Sequence, residues 1–132
     1  MRTSTIERIT NETKVNLVLN LDGVGRGKIK TNIPFFDHML EQLTFHSSVD
    51  LELSARGDID IDFHHSVEDC GICLGKAFVE ALGDKKGINR YGFFLLPMDD
   101  ALIRVALDFS GRSFLSWKVN FPTNRVGNFE LE

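Results

Sequence analysis

Apolar residues alternate with polar ones along several stretches of the chain, a pattern typical of half-buried strands. The alternation covers residues 7–21, 49–55 and 58–63. A shorter stretch at 28–33 follows the glycine-rich residues 22–27, which have turn composition. We therefore expect residues 28–33 to return beside the first strand and close a hairpin.

Two further stretches have the three-to-four spacing of amphipathic helices. The first covers residues 35–45, with Asp37 near its start. The second runs from His64 to Leu82 and stops at Gly83. We expect the buried stripe of the second helix to consist of Val67, Gly71, Leu74, Phe78 and Leu82.

The strand pattern recurs later in the chain. Residues 15–23 align with residues 103–111 in strand phase and turn placement, and Glu12 falls opposite Asp100. The alignment predicts that a β-rich unit is duplicated. We expect a complete first repeat unit over residues 1–90 and the beginning of a truncated second unit over residues 91–132, within a single domain overall.

Composition narrows the class of protein. The chain has 132 residues, of which 42% are hydrophobic, enough for one modest core. No apolar stretch approaches the ~20 residues of a membrane span, and no signal peptide opens the chain, so the expected location is cytoplasmic. The net charge of −4 and the scattered basic residues disfavour nucleic-acid binding.

All four histidines lie between positions 38 and 65, which is the strongest chemical signal in the sequence. His64 and His65 open a helix, Glu68 lies one turn further on, and His38 comes from a separate element. A lone histidine is more often a core or surface residue than a ligand. Imidazole and carboxylate together are ligands that manganese, iron and zinc favour, so this cluster predicts a metal site.

Cys70 and Cys73 form a CxxC motif inside the second predicted helix. A zinc site would need a second such pair, which the chain lacks, and a redox pair would be expected at the helix start. We therefore expect both cysteines to be buried core thiols.

Several blocks in this order and spacing resemble imidazoleglycerol-phosphate dehydratases of histidine biosynthesis. The matching blocks are Asn11–Thr13, Ile33–Leu40, Gly57–Asp58, His64–Asp69, Leu82–Ile88, Pro97–Leu102 and Asp108–Arg112. Together they cover nearly the whole chain and are far more specific than the His-His-x-x-Glu run alone.

The resemblance implies the fold, the chemistry and the site residues. The implied fold is α+β, a duplicated β-rich unit with helices packed on one face of a mixed four-stranded sheet, as in domain 2 of ribosomal protein S5. The implied reaction dehydrates imidazoleglycerol phosphate to imidazoleacetol phosphate through a dimanganese site and a substrate imidazolate. The implied assembly is a homo-oligomer of about 24 subunits, with sites between subunits.

Residue roles carry over from the family by position. His38 and His65 would bind one manganese, and His64 and Glu68 the other. Glu12, Gln42 and His46 would line the substrate pocket, with Glu12 as the candidate acid/base. Arg90 and Arg112 would hold the substrate phosphate, a role that suits the guanidinium fork.

The chain also departs from the family pattern. Phe63 stands where an acidic residue often precedes the histidine pair, and Asp100 stands where glutamate is usual. No histidine follows His65, so the second set of metal ligands is missing and each manganese would have only two protein ligands. We expect little or no turnover from this chain alone, and the shortened second unit should leave apolar strand surface exposed.

Three alternatives remain. The chain could be a non-enzymatic metal- or subunit-binding fragment of that enzyme. A nucleic-acid-binding α+β module is disfavoured by the acidic balance. A redox module based on Cys70 and Cys73 would require a depressed thiol pKa.

Overall fold

A computed structural model describes residues 1–131 and contains two compact units. The first unit consists of Met1–Gly83 together with the segment that begins at Pro122, and the second consists of Asp84–Phe121. The first unit contains strands β1 (Thr3–Ile9), β2 (Thr13–Asn20), β3 (Gly27–Lys30) and β4 (Asp50–Gly57), helices α1 (Pro34–Ser47) and α2 (His64–Leu82), and strands β7 (Arg125–Val126) and β8 (Phe129–Glu130). The second unit contains strands β5 (Tyr91–Met98) and β6 (Ala101–Asp108).

A mixed four-stranded sheet of order β1-β2-β4-β3 forms the body of the first unit. β1, β2 and β4 are antiparallel neighbours, while β3 pairs parallel with β4 across the crossover through α1. Leu17 and Leu53 lie opposite each other at the centre of the sheet, and both are almost fully buried. Both helices contribute to the same core cluster, so they cover one face of the sheet. The expected α+β class is confirmed.

The sequence located both helices and the fourth strand correctly. Residues 35–45 lie within α1, residues 49–55 nearly coincide with β4, and α2 begins and ends where the sequence predicts. At the end of α2, Gly83 has a φ of 53° and its N–H donates to the carbonyls of Val79 and Glu80. Such a positive φ favours glycine, which explains the stop signal.

Three strand predictions were wrong. Residues 7–21 form two strands, because the Thr10 hydroxyl accepts hydrogen bonds from the N–H groups of Glu12 and Thr13 and so stabilises a turn. Residues 28–33 do not close a hairpin with β2, because β4 already occupies that edge. Residues 58–63 form a tight turn instead of a strand, and Ile61 is 75% exposed there.

The buried stripe of α2 also differs from the predicted one. The buried residues are Ser66, Asp69, Cys70, Cys73, Ala77 and Ala81. Gly71 is exposed, and the larger predicted residues lie only half-buried at the edge of the contact. Small side chains therefore face the sheet, which brings the helix close to it.

The second unit is a single hairpin with the same register as the first. Thr3 pairs with Asn20 and Ser4 with Leu19 in β1–β2; at the equivalent places of β5–β6, Tyr91 pairs with Asp108 and Gly92 with Leu107. The matching register of the two hairpins supports the duplication that the sequence indicated. The boundary of the repeat units at residues 90 and 91 stays a prediction.

The side chains of this second hairpin are exposed on both faces, as the sequence predicted. The large apolar ones include Phe93, Phe94, Leu95, Leu96, Ile103 and Val105. None of the helices that the structure describes is long and apolar enough to cross a membrane.

Candidate functional site

The imidazole rings of His64 and His65 lie side by side at the start of α2. Their centroids are 3.9 Å apart and the rings are tilted by 44°. His64 is exposed and His65 is half-buried. The preceding turn, residues 58–63, connects β4 directly to this helix start, so a rigid sheet and a rigid helix flank the histidine pair.

Each of the two rings is held by a carboxylate from that turn. Asp58 Oδ2 lies 3.0 Å from Nδ1 of His65, and Asp62 Oδ1 contacts Nδ1 of His64. Asp62 Oδ1 also accepts the backbone N–H of His64, the first residue of the helix, at 2.9 Å. Because a carboxylate accepts from each Nδ1–H, the Nε2 atoms are the nitrogens available as ligands, an arrangement that recurs in protein metal sites.

The groups around His65 shift its pKa upward. The hydrogen bond to Asp58 raises the pKa of His65 above its usual value of 6.5, partial desolvation opposes that rise, and the charge of Glu12 adds to it. The pKa of Asp62 is lowered, chiefly because its carboxylate accepts the His64 N–H. Thr13, the neighbour of Glu12, pairs with Gly57 directly before Asp58, so the structure places this predicted pocket residue beside the turn that supports the histidines.

A hydrogen-bonded network attaches the turn that carries Glu12 to α2. Asp69, which is buried, accepts from Arg8 Nε at 2.7 Å and from the hydroxyl of Thr13. The Thr10 and Thr13 hydroxyl oxygens are 3.2 Å apart, and Thr10 Oγ1 accepts the N–H of Glu12. The pKa of Asp69 is lowered because these hydrogen bonds outweigh the opposing cost of desolvation. One buried carboxylate thus fixes the backbone at Glu12 relative to the helix with the histidines.

The other predicted ligands and pocket residues lie on exposed helix faces. His38, Gln42 and His46 are four residues apart along α1 and all three are exposed. Glu68 is exposed, one turn beyond His64. Within residues 1–131, no three histidine, cysteine, aspartate or glutamate side chains form a group that could hold a metal ion.

The donor set nevertheless fits part of a transition-metal site. Two adjacent imidazoles with oriented Nε2 atoms are suitable ligands for a divalent ion. Among the described atoms, buried Asp58 Oδ1 and Ser66 Oγ have no hydrogen-bond partner, which leaves unused bonding capacity beside the pair.

The two predicted phosphate-binding arginines lie in the second unit beside Asp108. Arg90 forms a two-pronged ion pair with Asp108, with distances of 2.7 and 3.2 Å, and its guanidinium lies 4.9 Å from the ring centroid of Tyr91. Arg112 is close enough to contribute to the lowered pKa of Asp108, which Arg90 dominates. The fork of Arg90 is therefore already bound to a carboxylate in this structure.

The two cysteines are buried and free, which confirms the core-thiol prediction. Burial raises the pKa of the Cys70 thiol to about 12, and burial also raises that of Cys73. These directions are opposite to the depressed thiol pKa that a redox module requires.

Sequence reasoning missed Asp58 and Asp62 as partners of the histidines. The signal that could have found Asp62 is an acidic side chain close to a helix N-terminus, where the unsatisfied backbone N–H groups favour negative charge. The contacts of Asp58 and Asp62 with the histidines could not be predicted while residues 58–63 were taken as a strand. A strand would have directed these side chains away from the helix start.

The comparisons with known proteins agree with this architecture. Residues 31–132 match the family model described as imidazoleglycerol-phosphate dehydratase. The chain belongs to the imidazoleglycerol-phosphate dehydratase family. Members of this family are hydro-lyases, so the expected enzyme class is also supported.

Individual family members show the extent of the likeness. The chain is 54% identical to the imidazoleglycerol-phosphate dehydratase of Cereibacter sphaeroides over 132 residues, which cover 100% of this chain and 68% of that protein. It is 59% identical over 126 residues to that of Alkaliphilus metalliredigens. The 126 aligned residues cover 96% of this chain and 65% of the Alkaliphilus metalliredigens protein. The crystal structure of the Staphylococcus aureus imidazoleglycerol-phosphate dehydratase superposes with a TM-score of 0.85 at 36% identity, covering 97% of this chain and 70% of that one. The chain thus spans about two thirds of the length of these dehydratases.

Proposed function

We propose that this chain carries the first half of a dimanganese site for dehydrating imidazoleglycerol phosphate to imidazoleacetol phosphate in histidine biosynthesis. Family membership supports the reaction class and the phosphorylated imidazole substrate. The observation that carries the proposal is the oriented pair His64 and His65, each held at Nδ1 by a carboxylate. A cytoplasmic location and a homo-oligomer stay predictions.

The ligand assignment follows the family resemblance. His38 and His65 bind one manganese, and His64 and Glu68 bind the other. Two protein ligands for each ion are fewer than the three or four that normally hold such ions tightly. Tight binding therefore needs further ligands besides these four residues.

Pocket residues would act on the substrate around this site. Bound manganese supplies Lewis-acid stabilisation of the negative charge that develops on the substrate imidazole ring. Glu12, fixed by the Asp69 network, moves the proton that the dehydration requires. The family resemblance also assigns Gln42 and His46 to the substrate pocket. It assigns Arg90 and Arg112 to the phosphate, and Arg90 must exchange its bond to Asp108 to take that role.

One observation favours the alternative of a non-enzymatic metal- or subunit-binding fragment. The described residues contain no group of three metal ligands, so we expect the chain alone to hold manganese too weakly for ordinary turnover. We propose that the isolated chain binds manganese weakly and dehydrates substrate at a rate far below that of ordinary enzymes.

A manganese-dependent dehydration assay on the purified chain tests this proposal. We expect weak manganese binding by calorimetry, and turnover at least about a thousandfold below the usual 1–1000 per second. Glu12→Gln is the matched variant, since it retains size but removes the carboxylate and should abolish any residual rate. Turnover at ordinary rates would contradict the inactivity of the chain, and no manganese binding at millimolar concentration would contradict the metal site.

A further inference from the structure

Four phenylalanines from three separate elements of the first unit form an aromatic cluster. Phe129 of β8 lies 5.0 Å from Phe35, 6.3 Å from Phe36 and 6.2 Å from Phe63, measured between ring centroids. The Phe36 and Phe63 rings are nearly parallel to it, at 21° and 30°. All four side chains are half-buried. The Phe129 ring is therefore the shared partner of the other three.

The partners of Phe129 belong to the two helix starts that carry the predicted metal ligands. Phe35 and Phe36 lie in the first turn of α1, three and two residues before His38. Phe63 directly precedes His64 and occupies the N-cap position of α2. One ring thus contacts both helix starts.

Elsewhere, the two helices share the core cluster but pack mainly on different strands. α1 packs mainly against β3, whereas α2 packs against β1, β2 and β4. A rigid aromatic ring with two rotatable bonds is well suited to hold two elements in one relative position.

The small hairpin that carries Phe129 is stabilised by contacts within itself. Arg125 Nη2 lies 2.6 Å from Glu130 Oε1, and the N–H of Leu131 donates to the carbonyl of Asn124 at 3.0 Å. Gly127 has a φ of 62° at the turn, a conformation that favours glycine. These contacts define the backbone conformation around Phe129, and the three neighbouring rings hold its side chain against the helix starts.

We propose that Phe129 is a positioning residue that sets the placement of His38 relative to the His64–His65 pair. The metal-binding consequence rests on the proposed function, whereas the connection between the helix starts does not. Phe63, which replaces the acidic residue common in the family, supplies the ring that Phe129 contacts at α2. The site geometry of this chain therefore depends on a segment that follows the second hairpin in sequence.

Hydrogen exchange measured by mass spectrometry tests the connection without any metal. Phe129→Ala should accelerate amide exchange at residues 34–38 and 63–67 together by roughly tenfold, because both helix starts lose one partner. Phe114→Ala is the matched control, since Phe114 is 90% exposed in the second unit. Phe129→Tyr, which keeps the ring, should exchange at both helix starts as slowly as the parent protein. Unchanged exchange at either helix start in Phe129→Ala would overturn the proposal.

Manganese affinity, followed by electron paramagnetic resonance, separates positioning from simple packing. Phe129→Ala should weaken binding by roughly tenfold, the lower range for loss of a supporting residue, while Phe129→Tyr and Phe114→Ala bind as the parent does. Parent-like affinity in Phe129→Ala with accelerated exchange would overturn the positioning role. If the parent binds no manganese, the proposed function fails and the exchange data alone decide this inference. If Phe129→Ala does not fold, Phe129→Leu removes the ring and keeps much of the apolar volume for both measurements.

Discussion

Asp58 and His65 are joined by a 3.0 Å contact between a carboxylate oxygen and Nδ1, across the tight turn that connects β4 to α2. The contact links the end of the sheet to the first turn of the helix. It also fixes which nitrogen of His65 is available to a metal ion, because Nδ1 donates to Asp58 and Nε2 is left as the acceptor.

Asp58→Asn should weaken manganese binding by the chain by about tenfold or more. The amide carries no charge, so it stabilises the required tautomer and orientation of His65 less well. Calorimetric titration with manganese measures the change. Asp60→Asn is the matched control, since Asp60 is an exposed carboxylate in the same turn. Equal losses in the two variants would mean that only the overall charge of the turn matters.

Stability should depend on pH through the same pair. The pKa of His65 is raised above 6.5 in the folded state, chiefly by Asp58. The contribution to stability is therefore complete below about pH 6.5 and is lost as the pH rises through the raised pKa. Urea unfolding of the parent and of Asp58→Asn across this window should show a decline that is steeper in the parent. Parallel curves would show that the pair contributes nothing to this dependence.

Gly57→Ala should destabilise the junction of β4 and α2. A Cβ atom at position 57 would lie 2.2 Å from Ser66 Oγ, so we expect a loss of roughly 1–3 kcal/mol in the free energy of unfolding. Ser66→Ala removes that oxygen, which has no hydrogen-bond partner among the described atoms, and should recover part of the loss in the double variant. A double-mutant cycle by urea unfolding measures the coupling, and strictly additive effects would contradict the predicted contact.

Cys70 and Cys73 should react slowly with Ellman's reagent in the folded protein. Both thiols are buried, and the pKa of Cys70 is about 12, so the reactive thiolate is scarce at neutral pH. Labelling should become fast once urea unfolds the chain, which serves as the control. Rapid labelling of the folded protein near pH 8 would revive the redox alternative.

Elements with a long, regular pattern could be predicted from the sequence. α1, β4 and α2 each show one clear periodicity and end at a recognisable signal, such as Gly83. The duplication was visible because β2 and β6 share strand phase, and their hairpins share a register.

The errors came from interactions that periodicity does not report. The turn after β1 depends on the Thr10 hydroxyl, which interrupts an alternation that continues on both sides. The position of β3 depends on which edge of the sheet remains open after β4 pairs with β2. Small residues such as Ala77 formed the contact face of α2, because close packing on the sheet outweighed side-chain size.

The candidate site was predictable in part. The adjacent histidines His64 and His65 could be recognised from the sequence itself. Glu12 could be assigned to the site only through the family resemblance. The supporting carboxylates Asp58 and Asp62 became visible only once the turn placed them against the two rings.

Anomalous diffraction from crystals soaked in manganese tests the central claim most directly. The account predicts an anomalous peak within bonding distance, about 2.0–2.3 Å, of Nε2 of His64 or His65, lost in a His64→Ala, His65→Ala double variant. A peak elsewhere that persists in the double variant, or no peak beside the histidines at saturating manganese, would contradict it.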